Sequence, residues 1–182
     1  MGHDRLGSRP RVVVIVDTPN ITKSVIQKHG TLVRPDYGWL IAYARSIGLV
    51  TAAVALVNDG VNAAFSGALG AMGYQVEPSH AFDCDDAFVA WTVRLHKRAD
   101  CVVICSGDHG YCALVHLLKA IHRRIVLCAV AESCNRQLRN LSDKYLEMPS
   151  YLLRGHVQDR NSRLAERTRS GATKSTVLPV LV

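Results

Sequence analysis

Apolar and polar positions along the chain fall into blocks that suit strands and helices in turn. Arg11–Asp17 is a continuous β-branched run, the pattern of a strand buried on both faces. Trp39, Leu40 and Tyr43 give helical spacing over residues 36–46, ending near Gly48. Residues 50–57 read as a second strand closed by Asn58-Asp59-Gly60, 61–72 as a small-residue helix stopped by Gly73, and 74–77 as a short third strand before Pro78. A helix is expected over 85–97, with Phe88, Trp91 and Leu95 on one side. A fourth strand (100–105), a helix (111–122), a fifth strand (124–130), a helix (131–141) and a short edge strand (145–148) follow. Strands alternating with helices of this length predict an α/β fold: a three-layer sandwich around a central parallel sheet of about five strands. Right-handed crossovers leave few topologies for it.

Three segments result. Residues 1–10 form a basic N-terminal arm and residues 11–153 the folded domain. After that the periodicity fades, and residues 154–182 are expected to be a basic, mobile tail, although it ends on the apolar Val-Leu-Pro-Val-Leu-Val.

Composition narrows the class. A chain of 182 residues, 48% hydrophobic and 20% charged, has the material for one core and is not a disordered polyelectrolyte. No apolar run approaches the roughly 18 residues of a membrane span. Residues 12–16 are too few for a signal-peptide core, and Leu6 stands where a myristoylation signal needs Ser or Thr. A soluble cytoplasmic protein is expected. The six cysteines form no CxxC pair and no zinc spacing, and Cys101, Cys105 and Cys128 lie in apolar runs, so they read as small buried hydrophobes of a reducing compartment.

Charge changes the picture only once it is divided along the chain. The net +7 is carried by residues 1–11 (+2) and 154–182 (+4), which leaves the body nearly neutral. Basic ends suit a polyanion, and equally suit a solvated tail. Within the neutral body the aspartates fall at strand ends, where ligands of parallel sheets collect. Asp17 ends the first strand, Asp108 follows the fourth, and Asp83, Asp85 and Asp86 cluster at the start of a crossover helix. Clustered carboxylates repel one another, and a hard, oxygen-seeking cation such as Mg²⁺ or Mn²⁺ relieves the repulsion. Such ions activate water for phosphodiester hydrolysis. Plainer readings stand beside each position: an Asx turn for Asp17, a helix cap for Asp108, dipole complementarity for Asp85 and Asp86. Asn20 and Ser106 are placed to orient Asp17 and Asp108 or to meet a phosphate. His109 reads as a general base or a solvated loop residue, and Trp39, Tyr43 and Trp91 as core.

Val-Ile-Val-Asp17-Thr-Pro-Asn20-Ile resembles the first-strand signature of the NYN/LabA-like branch of PIN-domain nucleases: Asp, two variable residues, then Asn. Cys101-Val-Val-Ile-Cys-Ser106-Gly107-Asp108-His109-Gly110-Tyr111 is similar to that branch's fourth-strand block, which ends in Ser-Gly-Asp-x-Asp-Phe. The run from Ile125 to Val130, followed by Leu138, Leu141 and Asp143, resembles the next strand and helix, so the likeness covers roughly residues 11–148. It implies a PIN-like fold with strand order 3-2-1-4-5 and metal-dependent endoribonuclease activity on RNA. Asp17, Asp86 and Asp108 carry over as catalytic metal ligands for Mg²⁺ or Mn²⁺. Asp83 or Asp85 can replace Asp86 after a small register shift. Asn20 and Ser106 carry over as supporting site residues, His109 is counted with them on the substrate side from its place in the loop, and a homodimer stays open. The likeness breaks at two places. Gly110 stands where the family has a second aspartate, and Thr92 or its neighbours where it often has another carboxylate. Fewer ligands weaken metal binding, so the alternative is a catalytically degenerate module that binds RNA or a protein without cleavage. Other chemistries of such sheets fit less well: Pro19 occupies the second aspartate of a dehalogenase-type phosphatase, and no glycines follow the first strand as a dinucleotide fold requires.

Overall fold

The side chains of β1 (Arg11–Asp17) divide with period two between two cores. Val12, Val14 and Val16 enter one, while Val13 and Ile15 enter the other. Both faces being covered, the whole strand can be apolar. The structure is a computed structural model and describes residues 9–79 and 85–153.

From β1 the chain runs directly into α1 (Thr18–His29), capped by Asp17 with Pro19 in its first turn. A short β2 (Val33–Pro35) and α2 (Tyr37–Ile47), capped by Asp36, lead to β3 (Leu49–Asn58). Then follow α3 (Ala63–Met72), β4 (Gln75–Ser79), α4 (Asp85–Leu95), β5 (Cys101–Cys105), α5 (Cys112–Ala120), β6 (Arg124–Ala129), α6 (Arg136–Leu141), β7 (Lys144–Glu147) and β8 (Ser150–Leu152). Six strands form one sheet in the order β4-β3-β1-β5-β6-β7, with every pairing parallel. β2 and β8 make a separate two-stranded ribbon. One compact unit takes in the chain to Tyr151, and of residues beyond it only Leu152 and Leu153 are described.

Helices α1, α2 and α3 bury Ile21, Val25, Leu40, Ile41 and Leu69 on one face of the sheet. Helices α4, α5 and α6 bury Phe88, Leu95, Val115, Leu118 and Leu138 on the other. This is the expected three-layer sandwich, and the five foreseen strands keep the order 3-2-1-4-5, with β7 added outside the fifth.

Several expectations need correction. Thr18-Pro19-Asn20 is the first turn of a helix, whose buried Ile21 and Val25 lie four residues apart. The helix expected from residue 131 begins only at Arg136, with the Asn135 side chain accepting from the backbone N–H groups of Gln137 and Leu138. Trp39 is not core: it is 36% exposed and stacks on the half-buried Tyr43 at 5.7 Å. Trp91 is half-buried. Cys101, Cys105, Cys112 and Cys128 are buried free thiols, as expected of small hydrophobes, and Cys134 is half-buried. The basic arm up to Ser8, the expected tail from Arg154 and the candidate Asp83 lie outside the described residues. Among the described residues no helix is long and apolar enough to cross a membrane.

At the amino-terminal end of the sheet Asp100 ties β1 to β5. It accepts the Arg11 backbone N–H at 2.9 Å and the guanidinium Nη2 and Nε at 2.9 and 3.2 Å. The Arg11 side chain first, then its backbone N–H, holds the Asp100 carboxyl down to about 2. A depressed carboxyl stabilises the fold above its ordinary value of 3.8, and that contribution is lost as pH falls toward about 2. Arg11→Ala is therefore expected to lower the urea midpoint at pH 6 and to matter progressively less between pH 4 and pH 2. A loss of the same size throughout that range would show that the ion pair is not the cause.

Candidate functional site

Strand order builds outward from β1 through β3 to β4, then returns to place β5 on the other flank of β1. Crossovers leaving β1 and β5 run to opposite faces, and a crevice opens beyond their carboxyl ends. Val16 pairs with Cys105 across this point, so the residues that follow each meet there.

Asp17 is the buried centre, 5% exposed. Its Oδ1 accepts the Asn20 backbone N–H at 3.0 Å, which is the α1 cap. Its Oδ2 accepts two hydroxyls, from Tyr111 at 3.1 Å and from Ser106 at 3.3 Å. Burial pushes the Asp17 carboxyl above its ordinary range, these hydrogen bonds oppose the shift, and the nearby Asp85 charge adds to it. Burial, with Asp17 beside it, pushes the Tyr111 phenol far up, so the hydroxyl remains a donor. Asp85 lies against the same hydroxyl. Tyr111 is held from behind by the Phe88 ring, 4.2 Å away between centroids.

The Ser-Gly-Asp loop completes the cluster. Ser106 Oγ accepts the Asp108 N–H at 3.2 Å, and Asn20 Oδ1 accepts the Gly107 N–H at 3.0 Å. Asp108 Oδ1 accepts the Gly110 N–H at 2.8 Å, capping the short 3-10 turn His109–Tyr111. The expected cap and the expected site residue are thus one side chain. Gly107 is demanded by a close approach: a Cβ there would stand 2.8 Å from the Ser133 carbonyl oxygen and 3.1 Å from Cys134 Cα. Gly107→Ala is expected to destabilise the protein by about 1–3 kcal/mol through overpacking against backbone, read as a lower unfolding midpoint. An unchanged midpoint would mean the 131–134 turn yields freely.

Of the two described mid-chain aspartates, Asp85 is brought to the cluster. The buried stripe of α4 is Phe88, Thr92 and Leu95, and three residues back from Phe88 lies Asp85. Asp86, one position on, is exposed. Counting back from Phe88 is a signal the sequence holds, obscured by taking Trp91 into the stripe. Thr92 is fully buried and donates to the Phe88 carbonyl at 2.8 Å, so it does not replace the missing carboxylate. Tyr111 is the member of the cluster that motif reading missed. A buried phenol next to the Ser-Gly-Asp loop needs a partner, and Asp17 is the partner in reach.

An ideal Cβ on Gly110 would stand 3.4 Å from Asp108 Oδ1 and 3.4 Å from Asp85 Oδ2, so two carboxylates border one point. Among the described residues no three His, Cys, Asp or Glu side chains close on a single point. The oxygen-only donors nonetheless fit Mg²⁺ or Mn²⁺, because Mg²⁺ keeps several waters and takes only one or two carboxylates together with substrate phosphate. His109 is exposed at the rim, with Nε2 3.3 Å from Gln137 Oε1.

No curated protein matches the chain. A solved structure of a protein of unknown function from Vibrio parahaemolyticus shares the fold, with a TM-score of 0.72 at 17% identity, over 81% of this chain and 96% of that one. The family model of the NYN domain matches residues 11–150, from the first residue of β1 to the first of β8. The chain therefore belongs to the NYN domain family, a branch of the PIN-like nuclease superfamily.

Proposed function

We propose that this protein is a divalent-metal-dependent endoribonuclease whose metal ligands are Asp17, Asp85 and Asp108. The observation that carries the reading is that Asp85 links the other two at the switch point of the sheet: it shares the Tyr111 hydroxyl with Asp17 and borders Gly110 together with Asp108. Asp85 takes the mid-chain place for which Asp86 was the motif's first choice. A bound Mg²⁺ or Mn²⁺ would polarise the scissile phosphate and lower the pKa of the attacking water.

The chain's own residues do the rest. Ser106 and Tyr111 hold the Asp17 carboxylate from one side and the Asn20 backbone from the other. Asn20 fixes the Gly107 backbone, and with it the loop that carries Asp108. His109 stands at the rim, placed to meet a substrate phosphate or ribose. RNA is the expected substrate. Incubation of labelled RNA with Mn²⁺ is expected to yield internal cleavage that EDTA stops and Asp108→Asn abolishes. Absence of cleavage together with absence of Mn²⁺ binding would remove the reading.

Two observations favour a second reading, a module that binds RNA without cutting it. Gly110 withholds one carboxylate, and both Asp17 oxygens are already engaged within the protein. Salt-dependent RNA binding that is indifferent to EDTA, without turnover, is its expected signature.

A further inference from the structure

The acidic cluster continues into a longer polar path. A cleft of about 420 Å³ is bordered by Asn20, Asp108, His109, Ser133 and Asn135. A second, of about 500 Å³, is bordered by His109, Asn135, Arg136, Gln137, Asn140 and Leu141. Each falls within the roughly 300–1,000 Å³ of clefts that take one small ligand. His109 and Asn135 line both, so the two clefts adjoin.

Their chemistry changes along the path. The inner cleft has carboxylates at its end, with Asp108 and Glu132 on its walls. The outer one has none among its lining residues and instead presents the Arg136 guanidinium and the side-chain amides of Gln137 and Asn140, all exposed. Among the described residues Arg136 pairs with no carboxylate. An unpaired guanidinium suits a phosphate, and amides that both donate and accept suit base edges or ribose hydroxyls. A small substrate would use one cleft, whereas a polymer would use both.

We propose that single-stranded RNA leaves the acidic site across His109 and runs along α6, with a phosphate on Arg136 and its neighbouring nucleotides against Gln137 and Asn140. The proposal rests on the nuclease reading only in taking RNA as the polymer.

Fluorescence anisotropy of a labelled 12-nucleotide single-stranded RNA, measured in EDTA across a salt series, tests it without requiring cleavage. Arg136→Glu is expected to weaken binding about 10-fold or more, and Arg136→Ala to reduce the slope of log affinity against log salt by about 0.7, the share of one phosphate on a single strand. Arg136→Lys is expected to restore the slope, and the paired Gln137→Ala, Asn140→Ala variant to weaken binding several-fold with the slope unchanged. These residues are exposed, and the unfolding midpoint of each variant checks that folding is intact. Wild-type protein that does not bind the strand, Arg136→Glu protein that binds it equally well, or a stronger preference for duplex RNA would each overturn the path. A chain that binds through Arg136 but never cuts in Mn²⁺ keeps the path and removes the nuclease reading. A chain that cuts while Arg136→Glu binds unchanged does the reverse.

Discussion

Asp17→Asn is expected to cut Mn²⁺-dependent cleavage by on the order of 100-fold or more while leaving the metal-free protein as stable as wild type or more so. The lower bound on activity follows from metal sites generally: altering even the supporting partner of a ligand costs about 10–100-fold, and Asp17 is proposed as a ligand itself. The stability follows from what surrounds it. Burial raises the Asp17 carboxyl, so the folded state prefers it protonated, and stability is lost as pH rises from the ordinary 3.8 through the folded value. At pH 7 the wild-type protein carries that cost and asparagine does not. The neutral side chain can still be satisfied: its oxygen can accept the Asn20 N–H, and the Ser106 and Tyr111 hydroxyls can turn to accept from its amide. Melting in EDTA is thus expected to give an equal or higher midpoint for Asp17→Asn at pH 7, with the two proteins converging at pH 4. A midpoint several degrees lower at pH 7 would make Asp17 chiefly the α1 cap, and full cleavage by the variant would remove it from the chemistry.

That double use of one side chain explains which parts of the fold and site were legible in sequence. The strands were readable because burial on both faces demands apolar residues at every position, and β1, β5 and β6 meet that demand without interruption. α1 was not, because its first turn is built from Asp17, Pro19 and Asn20, which also make good turns, and the sequence cannot say which hydrogen bonds are made. That Asp17 and Asp108 come together around Ser106 was legible from their places after strands. Asp85 against Asp86 was a matter of helix phase, about 100° per residue, and hung on whether Phe88 pairs with Trp91 or with Thr92 as the buried neighbour. Tyr111 was hidden for another reason. Its hydroxyl matters only because β1 and β5 are adjacent, a contact across 94 residues of chain.

Gly110→Asp is expected to raise Mn²⁺ affinity at least about 10-fold, or roughly 1.4 kcal/mol, while destabilising the metal-free protein. Gly110 has no positive φ, so its backbone accepts a side chain. The new Cβ would meet Asp108 Oδ1 and Asp85 Oδ2 at 3.4 Å, the near edge of ordinary contact, so the position is open. What resists the substitution is charge. Like charges about 4 Å apart repel by about 1 kcal/mol in water and about 4 kcal/mol at a partly buried surface, and exposure at residue 110 keeps the cost toward the lower figure. A divalent ion turns that repulsion into attraction, so added Mn²⁺ is expected to raise the variant's unfolding midpoint by more than the wild type's. Gly110→Asn has nearly the same shape without the charge, and is expected to lose little stability in EDTA and gain little from Mn²⁺. Titration calorimetry and melting with and without the ion separate the three proteins. Equal midpoints in EDTA and equal Mn²⁺ responses for Asp and Asn at 110 would mean that Asp85 and Asp108 do not share an ion, and the endonuclease reading would lose the geometry on which it stands.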